Sequence, residues 1–191
     1  MQALISNIKN CTICSSYLPH GTNPVVQLDA SSKIVIVGQA PGRRVHETGI
    51  PWNDKSGDTL RRWLNVSKDD FYEPTNFSIM AMGFCYPGKG ASGDLAPRPE
   101  CAKLWHPQIK QHFTANPLVI LIGQYAQRHY LKERGHIKLT TTVRNYHEYL
   151  PEYLVLPHPS PRNQNWVKVN PWFMEDVIPH LQAEVQARLQ L

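Results

Sequence analysis

No apolar run in the chain approaches the ~20 residues that a membrane-spanning helix needs. The opening stretch, Met1 to Lys9, lacks the basic-then-apolar layout of a secretory signal. These two absences set the expectation of a cytoplasmic protein with no membrane partner. Internal repeats, low-complexity tracts and linkers are also missing, and 191 residues suffice for one sizeable core but not comfortably for two. One domain over residues 1–191 is therefore expected. Charged residues make up only 18% of the chain and hydrophobic ones 41%, too apolar a balance for intrinsic disorder. Cysteine is scarce, with four in all; in a cytosolic chain such residues act as ligands more often than as disulfides. Lysine and arginine number 20 against 15 acidic residues, a net +5 that permits an anionic partner such as nucleic acid without requiring one.

What is present is a regular alternation. Ile34 to Val37, Phe77 to Met82, Leu118 to Ile122 and Tyr153 to Leu156 are short apolar runs of strand length, as expected of strands buried on both faces. Helical patterns lie between and after them: Gly57 to Val66, Pro99 to Phe113, Gly123 to Lys132 and about Pro171 to Leu191. This order predicts a three-layer α/β/α sandwich around a mostly parallel four-stranded central sheet. Polar and titratable residues cluster just after three of the strands, in Gly38 to Gly42, Gly83 to Gly88 and His158 to Asn163. Ligands of open α/β sheets sit at the carboxyl ends of strands, so the three loops point to one shared site.

Cys11-x2-Cys14 and Cys85-x15-Cys101 use every cysteine. Four thiolates at short range suit either a tetrahedral zinc or a four-iron cluster, and spacing alone does not separate the two. Four unrelated buried thiols are the simpler alternative, since free cysteine packs as a small hydrophobe. The polar surroundings of Cys11, from Asn10 to Ser16, speak against it.

Taken together, these motifs resemble the uracil-DNA glycosylase superfamily, and the four-cysteine arrangement resembles its iron–sulfur families four and five. Gly38-x-Ala40-Pro41-Gly42 is similar to motif one, and Gly49-Ile50-Pro51-Trp52 falls where those families carry Gly-x-Pro-Phe or a variant. His158-Pro159-Ser160-Pro161, with Asn163 and Asn165, is similar to motif two, especially that of family five. The departures are informative. Gln39 stands where family four has a glutamate and Ala40 where family one has an aspartate, so neither motif-one carboxylate is present. Family five places an aspartate slightly downstream, before a Ser-Gly pair, and Asp54-Lys55-Ser56-Gly57 fits that pattern. Ala81 replaces the asparagine that reads the uracil edge in several families, and Gly42 replaces the tyrosine that excludes the thymine methyl in family one. Arg43-Arg44-Val45-His46 resembles the Arg-rich His loop of a uracil-crosslinking branch, which lies elsewhere in the chain there.

The resemblance implies a DNA repair enzyme, a monofunctional glycosylase that flips uracil or another deaminated base out of DNA and hydrolyses its N-glycosidic bond. Asp54 and His158 would be catalytic, Asp54 supporting positive charge on the sugar and His158 donating a hydrogen bond to the departing base. Asp54 or Ser56 could alternatively cap a helix, and His158 could be a buried turn. Trp52 would be the wall on which the base stacks, with a core tryptophan as the alternative. Gln39, Ala40, Gly42 and Ala81 would complete the base pocket. Ser160, Arg162, Asn163, Arg43 and Lys55 would contact DNA, with Arg162, Asn163 or Gln164 filling the gap left by the flipped base; Arg44, Lys89 and Lys168 are further phosphate partners. Arg128, Lys132, Arg134 and Lys138 read as a solvated basic face. Cys11, Cys14, Cys85 and Cys101 would hold a structural 4Fe-4S cluster, with zinc as the alternative. The partner would be DNA bearing a damaged or deaminated base, and the protein would act as a monomer. The competing expectation is a non-catalytic damaged-DNA binding module that keeps the pocket, which Gln39 and Ala40 favour.

Overall fold

The computed structural model describes residues 1–91 and 93–190. The apolar runs form strands: β1 (Ile34–Gly38), β2 (Phe77–Ala81), a short ribbon of β3 (Lys89–Gly90) and β4 (Gly93–Asp94), then β5 (Leu118–Ile122) and β6 (Tyr153–Leu156). The central sheet runs β2-β1-β5-β6, and its neighbours pair in parallel with Ile34 opposite both Phe77 and Leu118. Every residue of β1 is buried. A strand buried without alternation needs cover on both faces, and helices supply it, giving the α/β sandwich that the alternation predicts.

Those helices are α1 (Gln2–Lys9), α2 (Arg43–Thr48), α3 (Lys55–Leu64), α4 (Lys68–Tyr72), α5 (Pro99–Gln111), α6 (Gln124–Tyr130), α7 (Leu139–Arg144), α8 (Gln164–Val169) and α9 (Ile178–Leu189). The predicted helix at 57–66 begins two residues earlier because Asp54 caps it, its carboxylate accepting from the Gly57 N–H at 2.8 Å. It stops at Leu64 because Asn65 turns left-handed, at φ 54°. The predicted C-terminal helix opens as a π-helical turn, Phe173–Val177, before α9; its last predicted residue, Leu191, lies outside the described residues. The periodicity missed α1, of eight residues, and α2, α4, α7 and α8, of five or six residues each; the latter four have less than two turns, too short to show an amphipathic stripe. Among the described residues no helix is long and apolar enough to cross a membrane.

Two arrangements position the site. An extended segment before β1 runs along the outer edge of β2: Gln27 and Ile79 exchange main-chain hydrogen bonds at 2.9 and 2.7 Å, and Val25 donates to the Phe84 carbonyl at 2.8 Å. This covers a sheet edge that would otherwise expose unpaired main-chain groups. The pairing of β1 with β2 also continues beyond the strands, with Met82 N–H donating to Gly38 O at 2.9 Å and Gly83 N–H to Gln39 O at 3.1 Å.

The core holds few polar groups, and one is titratable. His106 on α5 is 4% exposed; its Nε2 lies 2.9 Å from the Ala81 carbonyl and its Nδ1 2.8 Å from the Tyr130 hydroxyl. Burial pushes its pKa from the ordinary 6.5 down to about 4, against the Ala81 hydrogen bond, which raises it. Between those values the unfolded chain binds the proton and the folded chain does not, so acidification favours unfolding. Stability should fall as pH drops from about 6.5 to about 4, by on the order of 3 kcal/mol for this group. Denaturant titrations across that range check this. His106→Gln should show a correspondingly shallower pH dependence, and an unchanged one would remove His106 as the cause.

Candidate active site

The loops at the carboxyl ends of β1, β2 and β6 enclose a cavity of about 440 Å³. All the residues expected to be catalytic or to bind the base line it: Asp54, His158, Gln39, Ala40, Gly42, Trp52 and Ala81. So do Ser160, Arg162, Asn163 and Lys89 of the expected DNA contacts. Arg43 and Lys55 are not part of the wall; they are the exposed first residues of α2 and α3, on either side of the Trp52 loop in sequence. Arg44 and Lys168 are likewise exposed and outside it. The stretch Arg128, Lys132, Arg134 and Lys138 contributes nothing to the cavity, and Arg134 pairs with Glu148 at 3.0 Å, in keeping with a solvated face. His46 does not line the cavity either; its ring packs beside His20 and Tyr86.

Trp52 is held under constraint. Its φ is 54°, a region that costs a bulky residue on the order of 1–3 kcal/mol unless the surroundings enforce it. Three neighbours do so. Arg61 Nη1 donates to the Trp52 carbonyl at 3.3 Å, and Tyr72 Oη donates to the Pro51 carbonyl at 2.9 Å. Gly57 packs so closely that a Cβ there would stand 1.7 Å from the Trp52 carbonyl oxygen. The indole lies over Gly38, where a Cβ would meet Cζ2 at 3.1 Å, and its ring centroid is 5.6 Å from that of His158, tilted by 36°. The ring thus forms a wall of the cavity while packing partly against the core.

Asp54 likewise has two positions in the argument. One carboxylate oxygen caps α3 through Gly57; the residue also lines the cavity, close enough for its charge to act on His158. His158 itself has its pKa lowered, because burial disfavours the imidazolium more than the charges of Asp54 and Asp94 favour it. Burial therefore favours its neutral imidazole. Its loop is braced locally: Asn163 Nδ2 donates to the His158 carbonyl at 2.8 Å, and Ser160 Oγ accepts from the Arg162 N–H at 3.1 Å. The Asn163 amide, expected to meet DNA, is thus engaged in holding the loop.

Asp94 is a cavity residue that the sequence did not single out. It sits on β4, across the ribbon from Lys89, and lines the same cavity. Its carboxylate faces Gly42, where a Cβ would lie 3.8 Å from Oδ2. Strands of two residues carry no periodic signal, so only the fold brings this second acid to His158.

The four cysteines line a second, separate cavity together with Ile8, Leu18, Phe84 and Trp105. Cys11 and Cys14 follow α1, which packs on α5; Cys101 lies in the first turn of α5, and Cys85 follows β2. The Phe84 N–H points at Cys101 Sγ, 3.3 Å away. Burial pushes Cys85 up to about 11 and Cys101 to about 12, and the neighbouring thiols add to this. Among the described residues no three His, Cys, Asp or Glu side chains converge tightly enough to hold one metal ion.

The Gly57 contact gives a direct test of the Trp52 loop. Gly57→Ala is expected to destabilise the fold by more than about 1–3 kcal/mol, the usual cost of overpacking, because the opposing atom is main chain and α3 cannot retreat without losing its cap. Denaturant unfolding checks this, and a variant of wild-type stability would show that the loop is free to move.

A family model of the uracil DNA glycosylase superfamily matches residues 25–182. That span contains β1 through β6, all of the cavity loops, and Cys85 and Cys101, and it leaves out Cys11 and Cys14. With most of its length matched and the loops of its sheet closing on one pocket, the chain belongs to the uracil DNA glycosylase superfamily, a group of DNA-acting glycosylases.

Proposed function

We propose that the protein is a monofunctional DNA glycosylase that removes uracil or another deaminated base from DNA. The observation that carries this reading is the meeting of Trp52, Asp54, His158 and the Gly38–Gly42 loop in one cavity of a chain from this superfamily. A base inside the duplex is out of reach, so the nucleotide must be extruded, at a cost of a few kcal/mol that is least for mispaired bases. Stacking on Trp52 offsets this by roughly 1–3 kcal/mol. Main-chain N–H groups of Gln39 and Ala40 suit a base carbonyl, a task that needs no carboxylate at either position.

Hydrolysis breaks the bond between the sugar C1′ and the base nitrogen. The electron pair leaves with the base, water adds to C1′, and the water gives up a proton. Asp54, which lines the cavity, would support the oxocarbenium-like sugar and orient the water. Neutral His158 still carries one N–H and can donate it to the departing anion, a contact worth roughly 2.7–4 kcal/mol if it acts like an oxyanion donor. Ser160, Lys89 and the exposed Arg43 and Lys55 are suited to phosphates. Arg162, Asn163 and Gln164 are the candidates to fill the gap in the stack; Arg162 and Asn163 line the cavity, and Asn163 also braces its own loop.

The four cysteines are proposed to hold a 4Fe-4S cluster. They line one cavity, as the ligands of one shared centre would, and the Phe84 N–H supplies a hydrogen bond to a ligand sulfur of the kind such centres use. When bound, the cluster would supply a covalent tie between α5, the loop after β2 and the segment after α1.

A panel of single- and double-stranded oligonucleotides carrying uracil, hypoxanthine or xanthine, assayed for abasic sites, tests the activity. Binding without any abasic product would favour the non-catalytic damage-binding module. Asp54→Asn should lower single-turnover cleavage by at least about 10²-fold while leaving stability nearly unchanged, since asparagine caps helices as well as aspartate does. A wild-type rate in that variant would place the catalytic charge elsewhere. Cys85→Ser and Cys101→Ser should each lose iron and melt at lower temperature together, because metal binding is coupled to folding; full iron content in both would refute ligation by these four residues.

A further inference from the structure

We infer that His106, oriented by Tyr130, is a positioning residue for the base pocket: it fixes the peptide joining Ala81 to Met82, and through that peptide the Gly38–Gln39 loop. The inference rests on the glycosylase reading of the pocket and adds a residue to it that touches neither base nor DNA. Ala81 ends β2 and lines the cavity, but its carbonyl points to His106 Nε2, 2.9 Å away. A peptide unit is planar, with its C=O and N–H pointing in opposite directions. Holding that carbonyl therefore aims the Met82 N–H at the Gly38 carbonyl, which it meets at 2.9 Å, and the next N–H, of Gly83, reaches Gln39 O at 3.1 Å. Gly38 lies directly beneath the Trp52 ring, and Gln39 begins the loop proposed to bind a base carbonyl. A chain of hydrogen bonds thus runs from α6 to the floor of the pocket.

The donor and acceptor roles along the chain are fixed. The Ala81 carbonyl can only accept, so Nε2 carries the hydrogen; in the neutral ring Nδ1 must then accept, and the Tyr130 hydroxyl at 2.8 Å is its donor. Packing holds the ring in plane: Phe84 stacks on it at 5.7 Å and 18°, and His129 meets it edge-on at 5.6 Å and 81°. None of His106, Tyr130, Phe84 or His129 lines the base cavity, so any effect they have on cleavage must pass through the main chain of β2 and β1. Without the Tyr130 hydroxyl Nδ1 loses its donor, and only the Ala81 carbonyl is left to favour the Nε2–H tautomer.

The test compares wild type with His106→Phe, which removes the donor, His106→Gln, which can keep it, and Tyr130→Phe. Single-turnover cleavage of a uracil-containing duplex, affinity for the same duplex, and amide hydrogen exchange at Met82 and Gly83 in the DNA-free protein are measured for each. In His106→Phe the rate is expected to fall about 10- to 100-fold, the scale of a sub-ångström to 1 Å displacement of catalytic geometry, with DNA affinity within about threefold. Exchange at Met82 and Gly83 should rise at least about tenfold, as expected when the hydrogen bonds holding a segment are lost. His106→Gln should restore both readouts to within about threefold of wild type, and Tyr130→Phe should fall between. A merely structural role would lower stability without this split between rate and affinity and without rescue by glutamine. Wild-type rate and exchange in His106→Phe overturn the inference; if that variant does not fold, unchanged exchange in Tyr130→Phe overturns it. If wild-type protein cleaves no base at all, the glycosylase reading fails, while the exchange measurements still decide whether His106 holds this loop.

Discussion

The constraint on which the rest of the structure depends is the in-register parallel pairing of β1 with β2. It brings Gly38 level with Ala81, and it persists for two further main-chain hydrogen bonds after both strands have ended. The two loops leaving the sheet are therefore tied to one another before either begins its own path. One goes to the cavity rim at Gln39 to Gly42, the other to Cys85. A loop anchored this way loses little further entropy on holding its N–H groups ready for a ligand, which is the condition for electrostatic preorganisation. The cysteine cavity and the base cavity thus share a root in the same pair of strands, on either side of the segment from Ala81 to Phe84.

Around that root the site is built from conflicts that the packing resolves. Trp52 occupies a left-handed conformation that its side chain disfavours, and Arg61, Tyr72 and the bare Cα of Gly57 hold it there. His158 lies near two carboxylates that favour its charged form, yet burial outweighs both. Burial thus favours the neutral imidazole in spite of the two acids. Asp54 joins the two themes, since the same residue starts α3 and carries charge into the cavity. Stability and chemistry are not separable at that position by deletion, only by a substitution that keeps the cap.

The central strands were legible in the sequence to within a residue, because a buried parallel strand is a continuous apolar run bounded by turn residues, and Ile34, Leu118 and Tyr153 begin such runs. The short helices were not, since five or six residues cannot display a helical period. Of the site, Asp54, Trp52 and His158 could be named because the loops that hold them resemble motifs of the superfamily. Asp94 could not: its ribbon has strands of two residues, and nothing local to Gly93-Asp94 distinguishes it from any surface turn. His106 was equally hidden, reading as one more position on an amphipathic helix.

The order of the central strands and the longer helices between them, the basic charge balance and the residue types of the strand-end loops were determined by the sequence alone. They follow from periodicity and residue type, which are local properties. Which of those groups meet was decided only by the tertiary structure. Asp94 joins His158 at one cavity, His106 reaches the end of β2, and four cysteines from three segments reach a second cavity. Each of these contacts joins residues from different elements, so each depends on the register of the sheet and the angles at which helices lie on it. Those are set by the packing of the whole core, and no short window of sequence contains them.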